Sequence, residues 1–219
     1  MWTRFLNWIR LILGQKKTFS SLADLLGESV KFSDIREEMQ GEYAHPTLPI
    51  PRRPVDVIER VVLHCTADDD KPAADVYDLA LYDTSPECHI NPNEGCPTIT
   101  YHYVIEFVGG DCVVHWCLDY DVRAWHVASW NKTSLAVAID YDGISNLPEM
   151  KWAAAAKTVA WVLHELGLPS TGAVFHRELQ GTGWSMGPSG EKVYRKMCPG
   201  ENLDPYEFRR KVAGYMSQL

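Results

Sequence analysis

Three side chains stand out among those with the chemistry to hold a transition metal: His64, His176 and Cys198. His64 closes the run Val61-Val62-Leu63 and is followed by Cys65-Thr66-Ala67. His176 closes Ala173-Val174-Phe175 and is followed by Arg177-Glu178, and Cys198 sits in Lys196-Met197-Cys198-Pro199-Gly200. Two imidazoles and a thiolate form a three-donor zinc set with a fourth position left for water, whose pKa such a site lowers to about 7. Taken singly, each residue has an ordinary explanation. A His at a strand end is more often a hydrogen-bonded polar residue than a ligand, and a buried Cys is usually a small hydrophobe. The long sequence intervals between the three add no support of their own.

The contexts do add support. The three segments resemble, in the same order, the motifs of the type 2 N-acetylmuramoyl-L-alanine amidase family, which includes phage amidase lysozymes and peptidoglycan recognition proteins. The resemblance spans roughly Val57 to Tyr215 and implies one Zn2+ ion held by His64, His176 and Cys198. Thr100-Tyr101-His102-Tyr103-Val104-Ile105 is similar to the family strand whose Tyr lies beside the metal, and Lys196 matches a lysine that phage lysozymes carry two residues before the cysteine. Tyr101 and Lys196 are therefore the expected catalytic residues, Lys196 beside the metal at the oxyanion and Tyr101 orienting water or passing a proton. Trp125-His126 followed by Asn131 and Ser134 has the spacing of the family segment that lines the cleft. Trp125, His126 and Asn131 are expected to meet substrate, with Trp130 a second aromatic candidate. Trp184, in the glycine-rich stretch 180–195 between the second and third ligands, joins them as an expected contact. One departure is Ala136, where the family usually has Gly.

The resemblance implies hydrolysis of the amide between N-acetylmuramic acid and L-alanine in bacterial peptidoglycan, as in an endolysin. Two alternatives stand beside it. Cytosolic recycling amidases typically present Asp as third ligand, and non-catalytic wall-binding relatives typically replace the cysteine. Cys198 argues against both.

These residues need a scaffold, and the chain is long enough for one: 219 residues, 46% apolar. The run 58–64 is a buried strand, 75–82 a short helix, and 99–108 with 112–118 a hairpin about Gly109-Gly110. A further strand over 135–141, a long helix over 149–166, a short strand over 173–175 and a closing helix over 205–216 complete the pattern. Strands interleaved with helices predict an α/β fold: a single amidase domain over 55–219 with a central mixed β-sheet flanked by helices. Four prolines within 45–54 mark a linker, and residues 1–44 read as a small N-terminal helical arm.

The net charge of −8 argues against nucleic acid, whose phosphates reward a basic face. Residues 1–17 carry a net charge of +4, and their apolar positions suit an amphipathic helix, docked on its own domain or, alternatively, lying on a membrane surface. Asn7 and Arg10 interrupt any apolar core there and no small-x-small cleavage site follows, so no signal peptide is recognised. The expectation is a monomer made in the cytoplasm that acts on the wall. Without an export signal, disulfides are not the default for the six cysteines. The long loop 83–97, with Cys88, His89 and Cys96, lacks the fourth ligand of a structural zinc site and reads as a cleft wall carrying free thiols. Cys112 and Cys117, five apart in a strand, should lie on opposite faces.

Overall fold

The computed structural model describes residues 19–66, 75–179 and 198–219, together with the backbone of 184–186 and 192–194. The expected alternation resolves into a six-stranded mixed sheet. Its strands are β1 (Val30–Asp34), β2 (Arg60–Cys65), β3 (Tyr103–Val108), β4 (Asp111–Trp116), β5 (Ser134–Ile139) and β6 (Ala173–Phe175), in the spatial order β1-β4-β3-β5-β2-β6. Every neighbouring pair is parallel except the β3–β4 hairpin. Gly109 and Gly110 form its two-residue turn at φ 59° and 93°, left-handed values that a tight hairpin turn demands and that favour glycine. A separate two-stranded ribbon pairs β7 (Trp184–Met186) with β8 (Lys192–Tyr194).

Five helices accompany the strands among the described residues: α1 (Leu22–Leu26), α2 (Arg36–Gln40), α3 (Val76–Thr84), α4 (Glu149–Glu165) and α5 (Pro205–Met216). None is long and apolar enough to cross a membrane. Caps explain where several begin: Ser21, Asp75 and Asp204 each accept a backbone N–H of the first turn through the side chain. The alanine-rich α4 lies along one face of the sheet, and Trp152 on it meets Phe208 of α5 at 4.7 Å between ring centroids. The opposite face is covered by α2 and α3 through Met39, Val76 and Ala80.

Strand periodicity decides which residues reach which face. On β2, Val61, Leu63 and Cys65 point into the α4 core, which leaves Val62 and His64 on the other side. On β5, Leu135, Val137 and Ile139 face α4, so Ser134, Ala136 and Ala138 face the same side as His64, and Ala138 stands directly beside it in register. The small side chains there clear the space in which the site is built. Cys112 and Cys117 belong to the two different cores, as their odd offset requires.

The segment before the proline-rich stretch differs from the helical arm expected. Within its described part, 19–44, two five-residue helices flank a strand, β1, which pairs with β4 over five residues and makes the sheet edge. The basic amphipathic segment expected over the first 17 residues lies outside the described residues.

Candidate active site

His64, His176 and Cys198 converge. Their candidate ligand atoms all lie within 4.8 Å of one another. His64 comes from the end of β2, His176 from the 3-10 turn that follows β6, and Cys198 from the loop before α5. The His64 and His176 rings are 4.6 Å apart between centroids, and Cys198 Sγ is 3.8 Å from His64 Nδ1. Both imidazoles are buried. Two neutral nitrogens and one thiol sulfur at such separations suit the donor set of a catalytic zinc site.

His126 is placed behind His64, and the hydrogen bonds fix how. The Ser134 hydroxyl donates its single hydrogen to the Trp130 carbonyl at 2.8 Å, so its oxygen accepts from His126 Nε2–H at 3.2 Å. That leaves His126 Nδ1 as an acceptor, and it takes His64 Nε2–H at 3.0 Å. The lone pair of His64 is thereby assigned to Nδ1, the nitrogen facing Cys198. Burial, and then the neighbouring His102, hold His126 well below the usual imidazole range, so it is neutral and able to accept. Sequence reasoning placed His126 against substrate; the geometry gives it contact with His64, one of the three candidate ligands. Such supporting partners typically set metal affinity by 10- to 100-fold. Ser134→Ala should therefore weaken zinc retention by about that factor, read by competition with a chromogenic chelator, while thermal unfolding of the metal-free protein changes little.

The residues around the second and third ligands tie them together. Arg177 N–H donates to the Cys198 carbonyl at 3.1 Å, and its guanidinium donates to the carbonyls of Gly200 and Leu203. Glu178 accepts from Phe175 N–H at 2.8 Å and pairs with Arg209 of α5. The Cys65 N–H donates to Cys198 Sγ at 3.3 Å. Gly200, at φ 151°, approaches so closely that a Cβ would meet Tyr141 Cε1 at 2.8 Å. The motif signal located these segments; the brace formed by Arg177 was not legible without coordinates.

Tyr101 lies against His64, 5.4 Å between ring centroids. Burial first, then the nearby Asp83, pushes its phenol well above the ordinary value, so it is an O–H donor at neutral pH. Asp83, a residue sequence reasoning did not single out, holds this position. It is buried, and one carboxyl oxygen accepts both the Thr100 N–H at 2.8 Å and the Thr100 hydroxyl at 2.9 Å. Burial pushes the Asp83 carboxyl up to about 7, against the pull of those two hydrogen bonds. An acid raised in the folded state stabilises fully below its ordinary value of 3.8, and that contribution is lost as pH rises through 7. The melting temperature of the wild type minus that of Asp83→Asn should therefore fall between about pH 4 and about pH 7 and level off above that. A difference flat with pH, in a dye-based melt, would contradict that ionisation.

The remaining expected residues separate. Asn131 spends its side-chain carbonyl on the backbone, accepting His126 N–H at 3.0 Å and Val127 N–H at 2.6 Å. Trp125 lines an open groove of about 390 Å³ with Arg123, Ala128, Ser129, Asn131 and Lys132, where an indole and two cations are presented together. Trp130 packs inward with Val62 and Val127 and carries Arg60 over its ring at 4.4 Å. Lys196 lies outside the described residues, and Trp184 is described only as backbone in β7. His102 ties β5 to the loop at Val122: its Nδ1 accepts from Ala136 N–H at 3.1 Å and its Nε2–H donates to Val122 O at 3.0 Å. Burial takes it down to about 3.

Comparison with known proteins agrees with this geometry. Residues 52–201 match the sequence model of a family described as N-acetylmuramoyl-L-alanine amidase. Among solved structures, the chain is similar to an endolysin N-acetylmuramoyl-L-alanine amidase, LysCS, from Clostridium intestinale URNW. The TM-score is 0.55 at 12% identity, over 83% of this chain and 95% of that one. It is similar to Drosophila PGRP-LB with a TM-score of 0.53 at 16% identity, over 80% of this chain and 90% of that one. A third similar structure is the Ph2119 endolysin from Thermus scotoductus MAT2119 bacteriophage Ph2119, with a TM-score of 0.50 at 19% identity, over 83% and 99% of the two chains. At such identities these structures show a shared fold. None of the curated proteins compared matches the chain.

Proposed function

The chain belongs to the N-acetylmuramoyl-L-alanine amidase family, and from that premise we propose that it is a zinc-dependent amidase of the lytic, endolysin-like kind. Its reaction is hydrolysis of the amide joining the muramoyl lactyl group to L-alanine in peptidoglycan. The observation that carries the zinc reading is the convergence of His64, His176 and Cys198, from three separate segments, within 4.8 Å. A zinc ion held there supplies Lewis acidity toward the scissile carbonyl and a water acidic enough to ionise near neutral pH.

The protein's own groups do the rest. His126 and Ser134 orient His64 and fix its tautomer, and Cys65 N–H donates to the Cys198 sulfur. Tyr101, held protonated, offers an O–H to the water or to the developing oxyanion. Lys196 is assigned, on the family resemblance, a positive charge beside the same oxyanion. Trp125, with Arg123 and Lys132 in its groove, is assigned contact with the substrate's acidic and sugar groups. Asn131 serves by bracing the His126 loop. The folding unit is proposed to start near residue 19 and to act as a monomer, with peptidoglycan its partner.

The test is digestion of purified peptidoglycan, with and without chelator, followed by mass spectrometry and amino-terminal labelling. New L-alanine amino termini should appear, vanish with chelator and return on adding zinc. Metal-loaded protein that binds the wall yet releases no such termini would overturn the hydrolase reading. Release that is indifferent to chelator would overturn the zinc.

A further inference from the structure

Cys88 and Cys96 are both completely buried, and their sulfurs lie 3.5 Å apart, each the other's hydrogen-bond partner. They bracket the turn of the long loop that follows α3. The path of that loop is fixed by its own backbone. Cys88 N–H donates to Ser85 O at 3.1 Å, Asn93 N–H to Pro86 O at 2.9 Å and Cys96 N–H to Asp83 O at 2.7 Å. Asn91 Nδ2 closes the turn on Gly95 O at 2.6 Å. Gly95, at φ 83°, passes so near Thr84 that a Cβ would stand 2.3 Å from its carbonyl oxygen. The fold thus delivers the two sulfurs to contact. The approach still required, to a bond of about 2.05 Å, is within the reach of side-chain rotation.

The other four cysteines have different situations. Cys112 and Cys117 face opposite sides of the sheet, Cys65 points into the α4 core, and Cys198 belongs to the candidate metal group. No third donor completes a metal set around Cys88 and Cys96 among the described residues, where the one candidate group is the site already described.

We propose that Cys88 and Cys96 are an oxidation site, joined as an intramolecular disulfide when the protein meets a small-molecule disulfide outside the cytoplasm. In two exchange steps a thiolate attacks the oxidant, releasing one of its halves as thiol, and the second cysteine displaces the other half. One sulfur–sulfur bond forms in the protein, one breaks in the oxidant, and the two protons and two electrons leave with the reduced oxidant as two thiols. Burial raises the Cys96 thiol above its ordinary value, so attack begins from a transiently opened loop and is slow in the folded protein. The product staples the wall beside Tyr101. Asp83, at the loop's start, holds Thr100, and the loop's far end is tied to the N-terminal segment by His45 N–H to Pro97 O at 3.0 Å and Thr98 Oγ1 to Met39 O at 3.1 Å. The extracytoplasmic setting rests on the amidase reading; the thiol chemistry does not.

The test uses the full-length, zinc-loaded protein incubated with oxidised or reduced glutathione. After alkylation in denaturant, digestion with a glutamyl endopeptidase cuts at Glu94, between the two cysteines. The oxidised sample should show the two fragments linked and two hydrogens lighter, with two fewer titratable thiols. Its melting temperature should rise by about 5–10 °C over the reduced sample. Cys88→Ala and Cys96→Ala should each abolish that rise while keeping amidase activity under reducing conditions. Two alkylated cysteines at 88 and 96 after oxidation, or a link to a different cysteine, would overturn the site. A correct link with no gain in melting temperature would overturn the staple. Failure of the amidase reading would show in the peptidoglycan digest and leave the linkage map unchanged.

Discussion

Cys198→Ser should abolish peptidoglycan hydrolysis, by about a thousandfold or more, while the protein still folds. The reason lies in what a hydroxyl cannot do at this position. A thiol beside a cation and the Cys65 N–H ionises readily and binds zinc as a soft anion. A serine hydroxyl stays protonated at neutral pH and offers only a weak neutral donor. With two imidazoles remaining, the donor set falls below the three that a catalytic zinc site needs. A Lewis acid contributes several kcal/mol at the developing oxyanion, and about 4 kcal/mol corresponds to roughly a thousandfold in rate. The fold should survive, because Cys198 is only partly buried and the loop keeps the backbone hydrogen bond from Arg177 to its carbonyl. Metal content by mass spectrometry, amino-terminal release from peptidoglycan and a thermal melt together check this. Full activity in Cys198→Ser would remove the thiolate from the mechanism. Loss of activity together with a collapsed melt would reassign Cys198 to the architecture.

Contrast with Ser134→Ala locates the information in the sequence. The candidate ligands were legible through the motifs they share with the amidase family; for His64 the strand parity agrees, since Val61, Leu63 and Cys65 alternate with Val62 and His64 and leave His64 outside the α4 core. The support behind His64 was not legible. His126 and Ser134 lie 62 and 70 residues beyond it, and only the register of β2 against β5 brings Ser134 onto its face. Asp83 escaped notice for a similar reason. An acid at the end of a short helix reads as solvated, and nothing local shows that Thr100, 17 residues on, will donate two hydrogen bonds to it. The hairpin, by contrast, was anchored by its Gly109-Gly110 turn. The strand itself begins later than its apolar pattern suggested, at Tyr103, and Thr100 turns its backbone N–H to the Asp83 carboxylate. Ala136 stands where the family resemblance leads one to expect glycine, and His102 meets it through two hydrogen bonds to its backbone. The extra methyl is tolerated because those contacts run along the peptide edge.

Deleting residues 1–44 should cost the protein its fold, the reverse of what a separate helical arm would predict. The segment reads as an appendage because its acidic residues and proline-rich exit look like a boundary. Its strand, Val30-Lys31-Phe32-Ser33-Asp34, is short and half polar, as edge strands often are. Yet Leu22, Leu26 and Val30 enter the main core, and Ile35 and Met39 enter the second. Burying five such side chains contributes about 1.5–3 kcal/mol each, a sum on the order of 10 kcal/mol. That is comparable with the whole stability of an ordinary domain, about 5–15 kcal/mol. The polar contacts add to it: Lys157 Nζ donates to Leu26 O at 2.8 Å, and Arg36 pairs with Asp119 at 2.6 Å while lying 3.6 Å over the Trp116 ring. Removing the segment would also bare β4 as an edge lined with unpaired backbone groups, a template for aggregation. The truncated chain should therefore be largely insoluble, or melt without cooperativity, when followed by circular dichroism. Deleting residues 1–18 removes none of these contacts and should leave a cooperative melt and full hydrolysis of soluble muropeptides. If the longer deletion still melts cooperatively within a few degrees of the intact chain, the edge strand is an ornament and the folding unit begins after the prolines.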